Sequence, residues 1–115
     1  MKYYRRYIGD YRRDTGTLSI VQHGVYALLM DEYYAQDGKL PLYLPELYRL
    51  CHATTKIERQ AVMDIADRYF RAIDGKRHNT GADKELAIAL PAIEKMREAG
   101  RLGVARKRAK SEGFA

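Results

Sequence analysis

The sequence predicts a mainly α (α+β) fold, and three local observations predict it. Two capping boxes, in which a serine or threonine and a glutamine or glutamate three residues later satisfy each other's backbone amides, begin two separate helices. A short proline-led helix fits between them, and an Asp-Gly pair follows the later one. Helix, short helix, helix and hairpin is the order of a winged helix-turn-helix domain, with a small β-hairpin wing and here a further C-terminal helix.

The first element is a short strand, because Tyr3 to Tyr7 alternate aromatic and basic residues. The stretch Gly9 to Thr17 is expected to be a loop. A helix then begins at Ser19, whose capping-box partner is Gln22, and it ends at the turn Asp37-Gly38. Its apolar residues recur at helical spacing, namely Val21, Val25, Leu28 and Leu29.

Two further helices follow an extended segment around Pro41. Pro45 suits the first turn of a short helix, and the second capping box, Thr55 with Glu58, begins the next helix. The expected buried stripe of that helix consists of Ile57, Ala61, Val62, Ile65 and Tyr69.

The wing and the C-terminal helix complete the predicted chain. Asp74-Gly75 between two short runs is a strong hairpin signal, because both central residues of that turn need positive φ. A last helix is expected from about Ala82, with a kink or a break at Pro91. The predicted organisation is a winged-helix core with its N-terminal strand over residues 1–80, a C-terminal helix over 81–99 and a basic tail over 100–115.

Length and composition place the chain among small globular proteins. It has 115 residues, of which 46% are hydrophobic and 31% are charged. We find neither a secretory signal nor a run of about 18 apolar residues, so no membrane span is expected. The single cysteine, Cys51, fits a reducing compartment, and we expect a cytoplasmic location.

The excess positive charge is concentrated in one segment. The net charge is +6, but residues 1–94 carry 14 Lys and Arg against 13 Asp and Glu. Residues 95–110 carry seven basic residues against one acidic residue, Glu98. Localised positive charge indicates a polyanionic partner.

Three groups of residues are candidates for nucleic-acid contact. On the helix after Thr55, they face away from the predicted buried stripe, although a solvated face is an equal alternative. In the wing and the tail, the alternatives are an ordinary polar hairpin tip and a disordered solubilising end. The candidates are Lys56, Arg59 and Gln60 on the helix, Lys76, Arg77 and His78 in the wing, and Arg101, Arg106, Lys107, Arg108 and Lys110 in the tail.

The sequence supports base stacking, metal binding and catalysis less well than contact with nucleic-acid phosphates. Base stacking is considered for Tyr3, Tyr4, Tyr7 and Tyr11, which lie near basic residues. Other tyrosines recur at helical spacing and are expected in the core or at its edge, namely Tyr26, Tyr33 and Tyr69. The three histidines are far apart and Cys51-His52 has no second ligand pair, so no metal and no cofactor are expected. The sequence has no phosphate loop, nucleophile elbow or zinc-protease motif, so we expect no enzyme.

The chain also resembles the YdaU-like family of prophage proteins, which carry a domain of unknown function. The resemblance spans about residues 7–86 in order and with family-like spacing. It rests on Tyr7-Ile8-Gly9-Asp10-Tyr11-Arg12-Arg13-Asp14-Thr15, Leu18-Ser19, Gly24-Val25-Tyr26, Leu28-Leu29, Tyr33-Tyr34, Asp37-Gly38, Leu40-Pro41, Phe70, Asp74-Gly75 and Asp83-Lys84-Glu85-Leu86.

The resemblance implies a phage or prophage DNA-binding protein that acts in replication initiation or regulation in the cytoplasm of a bacterial host cell. The expected partner is DNA, duplex more than single-stranded, together with a possible host or phage replication protein. A different class of function is the alternative: the chain would be a protein-interaction module that binds and modulates a host replication, transcription or defence protein. A homodimer through the C-terminal helix is possible, because its apolar positions need a cover, namely Leu86, Leu90, Ile93 and Met96.

Overall fold

The computed structural model describes the backbone of residues 3–113 and the side chains of residues 3–104. The described chain is mainly helical, with a small two-stranded antiparallel hairpin and a C-terminal helix. It divides into a first compact unit that ends at Asp83 and a second that begins at Lys84. The elements are α1 (Ile8–Thr15), α2 (Ile20–Ala35), α3 (Leu44–Leu50), α4 (Lys56–Tyr69), β1 (Arg71–Ile73), β2 (Lys76–His78) and α5 (Thr80–Gly113).

The prediction for the N-terminal segment is wrong in two places. Residues 3–7 form no strand; instead the ring of Tyr4 stacks on that of Tyr34 in α2, with centroids 4.0 Å apart. The expected loop is the helix α1. Tyr11 in α1 packs against Tyr26, with ring centroids 5.4 Å apart, so packing on α2 stabilises a helix too short to form alone.

Helix α2 begins and ends as the sequence predicts. The Ser19 side chain accepts the Gln22 amide, and the Gln22 side chain accepts the Ser19 amide. At the other end, Asp37 has a φ of 55° and the Gly38 amide donates to the Tyr33 carbonyl at 2.8 Å. This is a Schellman motif, which satisfies the last carbonyls of the helix.

Helices α3 and α4 are joined by a tight turn. His52 adopts a φ of 54°, and the Ala53 amide donates to the Tyr48 carbonyl at 2.9 Å, so α3 ends in a second Schellman motif. The predicted capping box of Thr55 and Glu58 then begins α4 and is confirmed.

The core of the first unit lies among α2, α3, α4 and the segment before α3. Its members are mostly aliphatic side chains from α2 and α4, closed by aromatic rings at one end. Tyr33 lies 5.9 Å from Phe70, centroid to centroid. The fully buried residues of the unit include Leu29, Tyr33, Leu40, Leu47, Val62, Ile65 and Phe70.

The predicted stripe of α4 is confirmed at three of its five members. Ala61, Val62 and Ile65 are buried, but Tyr69 is half-buried and Ile57 is 73% exposed. Helical spacing alone could not separate these positions, because Ile57 lies on the flank of the buried face and only the neighbouring elements determine how far the core extends.

The Asp-Gly hairpin is confirmed. Asp74 and Gly75 have φ values of 50° and 78°, as a tight I′-like turn requires, and β1 pairs with β2 in antiparallel register. An isolated antiparallel bridge also joins Leu40 to Arg77 of β2, with the Arg77 amide donating to the Leu40 carbonyl at 3.2 Å. The extended segment before α3 therefore lies along the second hairpin strand.

Helix α5 begins two residues before its predicted start and runs unbroken past Pro91, so the expected break is wrong. Proline removes one intrahelical hydrogen bond, yet Ala87, whose carbonyl would accept that bond, is exposed to solvent. The helix also continues across residues 99 and 100, where the sequence predicted a change from helix to tail; the domain division itself stays a prediction. None of the described helices is long and apolar enough to cross a membrane.

Candidate nucleic-acid interface

The first turns of α4 present a mixed polar and apolar surface. Lys56 and Gln60 are exposed and lie opposite the buried side chains, as predicted. Ile57 is exposed beside them, one helical turn before Gln60. The Gln60 amide nitrogen donates to Asp64 at 2.9 Å, which orients the amide along the helix surface. This turn can therefore offer a cation, an amide and an apolar side chain to a common partner.

Arg59 lies on the side of α4 that faces the turn after α3. Its Nε donates to the Ala53 carbonyl at 3.4 Å, and its guanidinium lies 5.6 Å from the centre of the Tyr48 ring. These contacts place a positive charge beside the turn rather than on the outermost face of α4. The side chain is still exposed, so its charge remains accessible to an anion.

The acidic residue of this turn is engaged in capping. The Glu58 carboxylate accepts the amides of Thr54 and Thr55 at 3.0 and 2.9 Å. These backbone hydrogen bonds lower the pKa of Glu58. The carboxylate therefore stays ionised and compensates the positive end of the α4 dipole, while Lys56 and Arg59 supply the opposing charge.

Arg77 is misassigned by the sequence argument, because the structure buries it. The residue is only 8% exposed, and its Nε donates to the Leu42 carbonyl at 2.9 Å. Its Nη1 donates to the Phe70 carbonyl at 3.2 Å and lies 3.4 Å from Asp67. Arg77 joins three segments of the fold, whereas Arg71 and Lys76 are exposed cations of the hairpin.

His78 is half-buried in a polar cluster. Its Nδ1 lies 3.4 Å from the Tyr33 hydroxyl and 3.6 Å from a carboxylate oxygen of Asp83. The Tyr33 hydroxyl also donates to Asp83. Burial, with this hydrogen bond second, raises the pKa of Tyr33 to about 12. The cluster positions the hairpin beside the first turn of α5, which gives His78 a structural role alongside the predicted one.

Tyr4 and Tyr11, which were both considered for base stacking, already have ring partners. Tyr4 stacks on Tyr34, and Tyr11 packs on Tyr26 and donates to or accepts from His23 at 2.7 Å. The guanidinium of Arg6 lies 4.1 Å from the centre of the Tyr11 ring. Tyr3, in contrast, is 83% exposed. Tyr4 therefore holds the segment before α1 against α2, and Tyr11 holds α1 against α2.

Of the tail candidates, Arg101 is the one whose side chain the structure describes. It is exposed on α5 and pairs with Glu98 at 2.7 Å and with Glu94 at 3.4 Å. Exposed salt bridges of this kind contribute little stability, so the Arg101 guanidinium can exchange these carboxylates for a phosphate. The other candidates lie outside the described side chains, although their backbone is helical; they are Arg106, Lys107, Arg108 and Lys110.

Sequence reasoning missed a groove of about 650 Å³ beside the hairpin tip. Leu40, Leu42 and Leu50 form its apolar part, and Lys39 and Lys76 lie on its edge. No single segment encodes it, because it forms where the end of α2, the segment before α3 and the hairpin turn meet.

Among the described residues no cluster of acidic, histidine or cysteine side chains could hold a metal ion. Asp10 and Asp14, the carboxylate pair in the predicted loop, both contact Arg13, at 3.3 and 3.2 Å. Burial raises the pKa of the Cys51 thiol to about 11, which disfavours the nucleophilic thiolate.

Comparison with known proteins places these features in a family. The family model described as "Protein of unknown function (DUF1376)" matches residues 2–87. The "Uncharacterized protein YdaU" of Escherichia coli (strain K12) is 31% identical over 113 residues, which cover 97% of this chain and 38% of that relative. The chain thus spans well under half the length of the relative that it matches. No solved structure matches the chain. The match over the whole first unit shows that the chain is a member of the YdaU-like family of DUF1376 proteins.

Proposed function

We propose that the chain binds duplex DNA as a winged helix-turn-helix protein in a phage or prophage replication or regulatory process. The first turn of α4 enters the major groove, the hairpin lies beside it, and the basic segment of α5 supplies electrostatic affinity. The observation that carries the proposal is the arrangement of α3, a tight turn, α4 and a hairpin in one compact unit.

The bridge between Leu40 and Arg77 supports this arrangement. In a winged helix, an extended segment before the helix-turn-helix pairs with the hairpin and holds it beside the second helix. Here the bridge, together with the hydrogen bond from Arg77 to Leu42, attaches the segment before α3 to β2. The hairpin is therefore fixed to the helix pair and can present Lys76 at a constant position.

Charge supports a phosphate-rich partner. Lys56, Arg59 and Lys76 are exposed on α4 and the hairpin, and seven basic residues follow between positions 95 and 110. The part of α4 after its second turn carries Asp64 and Asp67, which repel phosphate. Contact is therefore expected at the beginning of α4, as in helix-turn-helix proteins whose recognition helices read bases near the N-terminus.

The test is fluorescence anisotropy of the full chain with labelled duplex and single-stranded DNA at about 50 and 200 mM salt. If about six cations meet phosphates, affinity falls about a thousandfold over this range. A variant with Arg106, Lys107, Arg108 and Lys110 changed to Gln keeps good helix formers in α5 and is expected to reduce both the affinity and the salt dependence.

A matched control separates local contact from net charge. Changing Arg12 and Lys39 to Gln, at exposed positions outside α4 and the basic segment, is expected to leave the salt dependence nearly unchanged. If Lys56→Gln and Lys76→Gln also leave duplex affinity unchanged, the winged-helix part of the proposal is wrong. Failure of the full chain to bind either DNA at the lower salt would reject DNA binding altogether.

A second proposal is a protein-interaction module that binds and modulates a host replication, transcription or defence protein. It is favoured by apolar side chains exposed on α5, which include Ile88, Met96 and Leu102. The same helix could form the homodimer that the sequence suggests. Sedimentation of the chain alone and with DNA distinguishes these outcomes: a dimer that binds no DNA would favour the interaction module.

We further propose that the protein is not an enzyme. The arrangement supporting this is the pairing of the Asp10 and Asp14 carboxylates, which could otherwise act together in metal-assisted chemistry, with Arg13. Hydrolysis of labelled DNA or nucleotides with added Mg²⁺ by the purified chain would contradict this proposal.

A further inference from the structure

We infer that Ile57 is a base-reading residue that contacts thymine methyl groups in the major groove, so that the protein prefers A·T-containing duplexes. The inference rests on the proposed DNA-binding function and specifies what its helix reads. It concerns a residue that the sequence placed in the core and that the structure places on the surface.

The side chain of Ile57 is not part of the core of its own unit. The side chain is 73% exposed, whereas Ala61, Val62 and Ile65 form the buried face of the same helix. Exposing an isoleucine forgoes the stabilisation that burial of its apolar side chain would give. A polar residue at this position would serve folding equally well, because the capping box of Thr55 and Glu58 already begins the helix.

The neighbours of Ile57 are those that a base-reading turn requires. Lys56 precedes it and Gln60 follows one turn later, and both are exposed. The hydrogen bond from Gln60 to Asp64 at 2.9 Å leaves the amide oxygen and one amide hydrogen for a ligand. Glutamine pairs with adenine in the major groove, and an apolar side chain contacts the methyl group of thymine. An apolar and an amide side chain one turn apart therefore suit an A·T pair or two adjacent ones.

The charge distribution of α4 is consistent with contact at this turn. Glu58 is directed to the amides of Thr54 and Thr55, on the side of the buried face. Asp67 lies further along the helix, and Asp64, one turn after Gln60, accepts the hydrogen bond from the Gln60 amide. Contact at Ile57 is therefore centred on the first turn of α4, which precedes both carboxylates along the helix.

The test compares alternating dA-dT duplex with the corresponding dA-dU duplex, which differs only by the thymine methyl group. Binding of the full chain is measured by anisotropy competition at a fixed, low salt concentration. The unaltered protein is expected to prefer the thymine duplex by about fourfold for each methyl group covered. Ile57→Ala is expected to abolish this preference and to weaken binding to the uracil duplex far less.

Ile20→Ala is the matched control, because Ile20 is 88% exposed at the start of the other capped helix, α2. It is expected to leave the thymine preference intact. Circular dichroism and thermal unfolding verify that both variants fold, and Ile57→Val, which keeps part of the apolar surface, is expected to retain part of the preference.

The outcomes separate this inference from the function on which it rests. If the unaltered protein binds both duplexes equally, or if Ile57→Ala retains the preference, the inference is wrong and DNA binding stands. If the unaltered protein binds neither duplex, the proposed function is rejected and the inference is rejected with it.

Discussion

The Nε of Arg77 donates to the carbonyl oxygen of Leu42 at 2.9 Å, across 35 positions of the sequence. The same guanidinium donates to the Phe70 carbonyl at 3.2 Å. One buried cation therefore links the hairpin, the end of α4 and the segment before α3. Arginine suits this role because its planar guanidinium holds several donors in a fixed geometry.

Arg77→Ala is expected to lower the free energy of unfolding by about 3 kcal/mol, because it leaves buried carbonyls without donors. Urea denaturation measures the change. Lys76→Ala, at the exposed neighbouring position, is the control and is expected to change stability by less than about 0.5 kcal/mol. A loss for Arg77→Ala as small as that of the control would mean that water replaces the guanidinium.

Stability is expected to fall as the pH rises from about 10 to 12. Burial raises the pKa values of Tyr26 and Tyr33 to about 12, from an ordinary value of 10.0. Below pH 10 both phenols are protonated in the folded and unfolded states, so their contribution is fully present. As the pH rises further, the unfolded chain loses these protons first, and the contribution is lost.

Denaturation followed across this pH range measures the effect, and Tyr33→Phe is the informative variant. Its stability is expected to be lower at pH 7, because the Tyr33 hydroxyl no longer donates to Asp83, but less dependent on alkaline pH. Tyr3→Phe, at an exposed position, is expected to leave the pH profile unchanged. A Tyr33→Phe profile identical to that of the unaltered protein would contradict the assignment.

The two capping boxes are expected to contribute similar amounts to stability. Ser19→Ala and Thr55→Ala each remove a side-chain acceptor for a helix amide, and each should cost about 1 kcal/mol in the free energy of unfolding. Thr55→Ser keeps the acceptor and should cost little. Equal losses for Thr55→Ser and Thr55→Ala would assign the effect to packing of the methyl group instead.

The hairpin turn is expected to depend on Gly75. Its φ of 78° is costly for a residue with a Cβ, although a Cβ there would meet no atom within 4 Å. Gly75→Ala should therefore destabilise the protein by about 1 kcal/mol through the backbone alone. Asp74→Asn, which tolerates the positive φ of 50°, is the control; amide exchange of the Arg77 backbone locates the effect in the hairpin.

The elements that the sequence predicted correctly are those whose signals are complete within a few residues. The capping boxes at Ser19 and Thr55, the helix end at Asp37-Gly38 and the Asp-Gly hairpin each satisfy local backbone groups through nearby residues. Helix α1 was missed because its stability comes from contacts such as those of Tyr11 with Tyr26 and His23. Pro91 was overweighted, since a long helix tolerates one missing hydrogen bond at a solvated position.

The same division applies to the candidate interface. Local signals in the sequence were sufficient to locate the capped ends of α2 and α4 and the hairpin turn. The burial of Arg77 and the exposure of Ile57 became evident from the folded chain alone. The physical reason is that a cap or a turn depends on hydrogen bonds within about four residues, whereas burial depends on which distant segment covers a side chain.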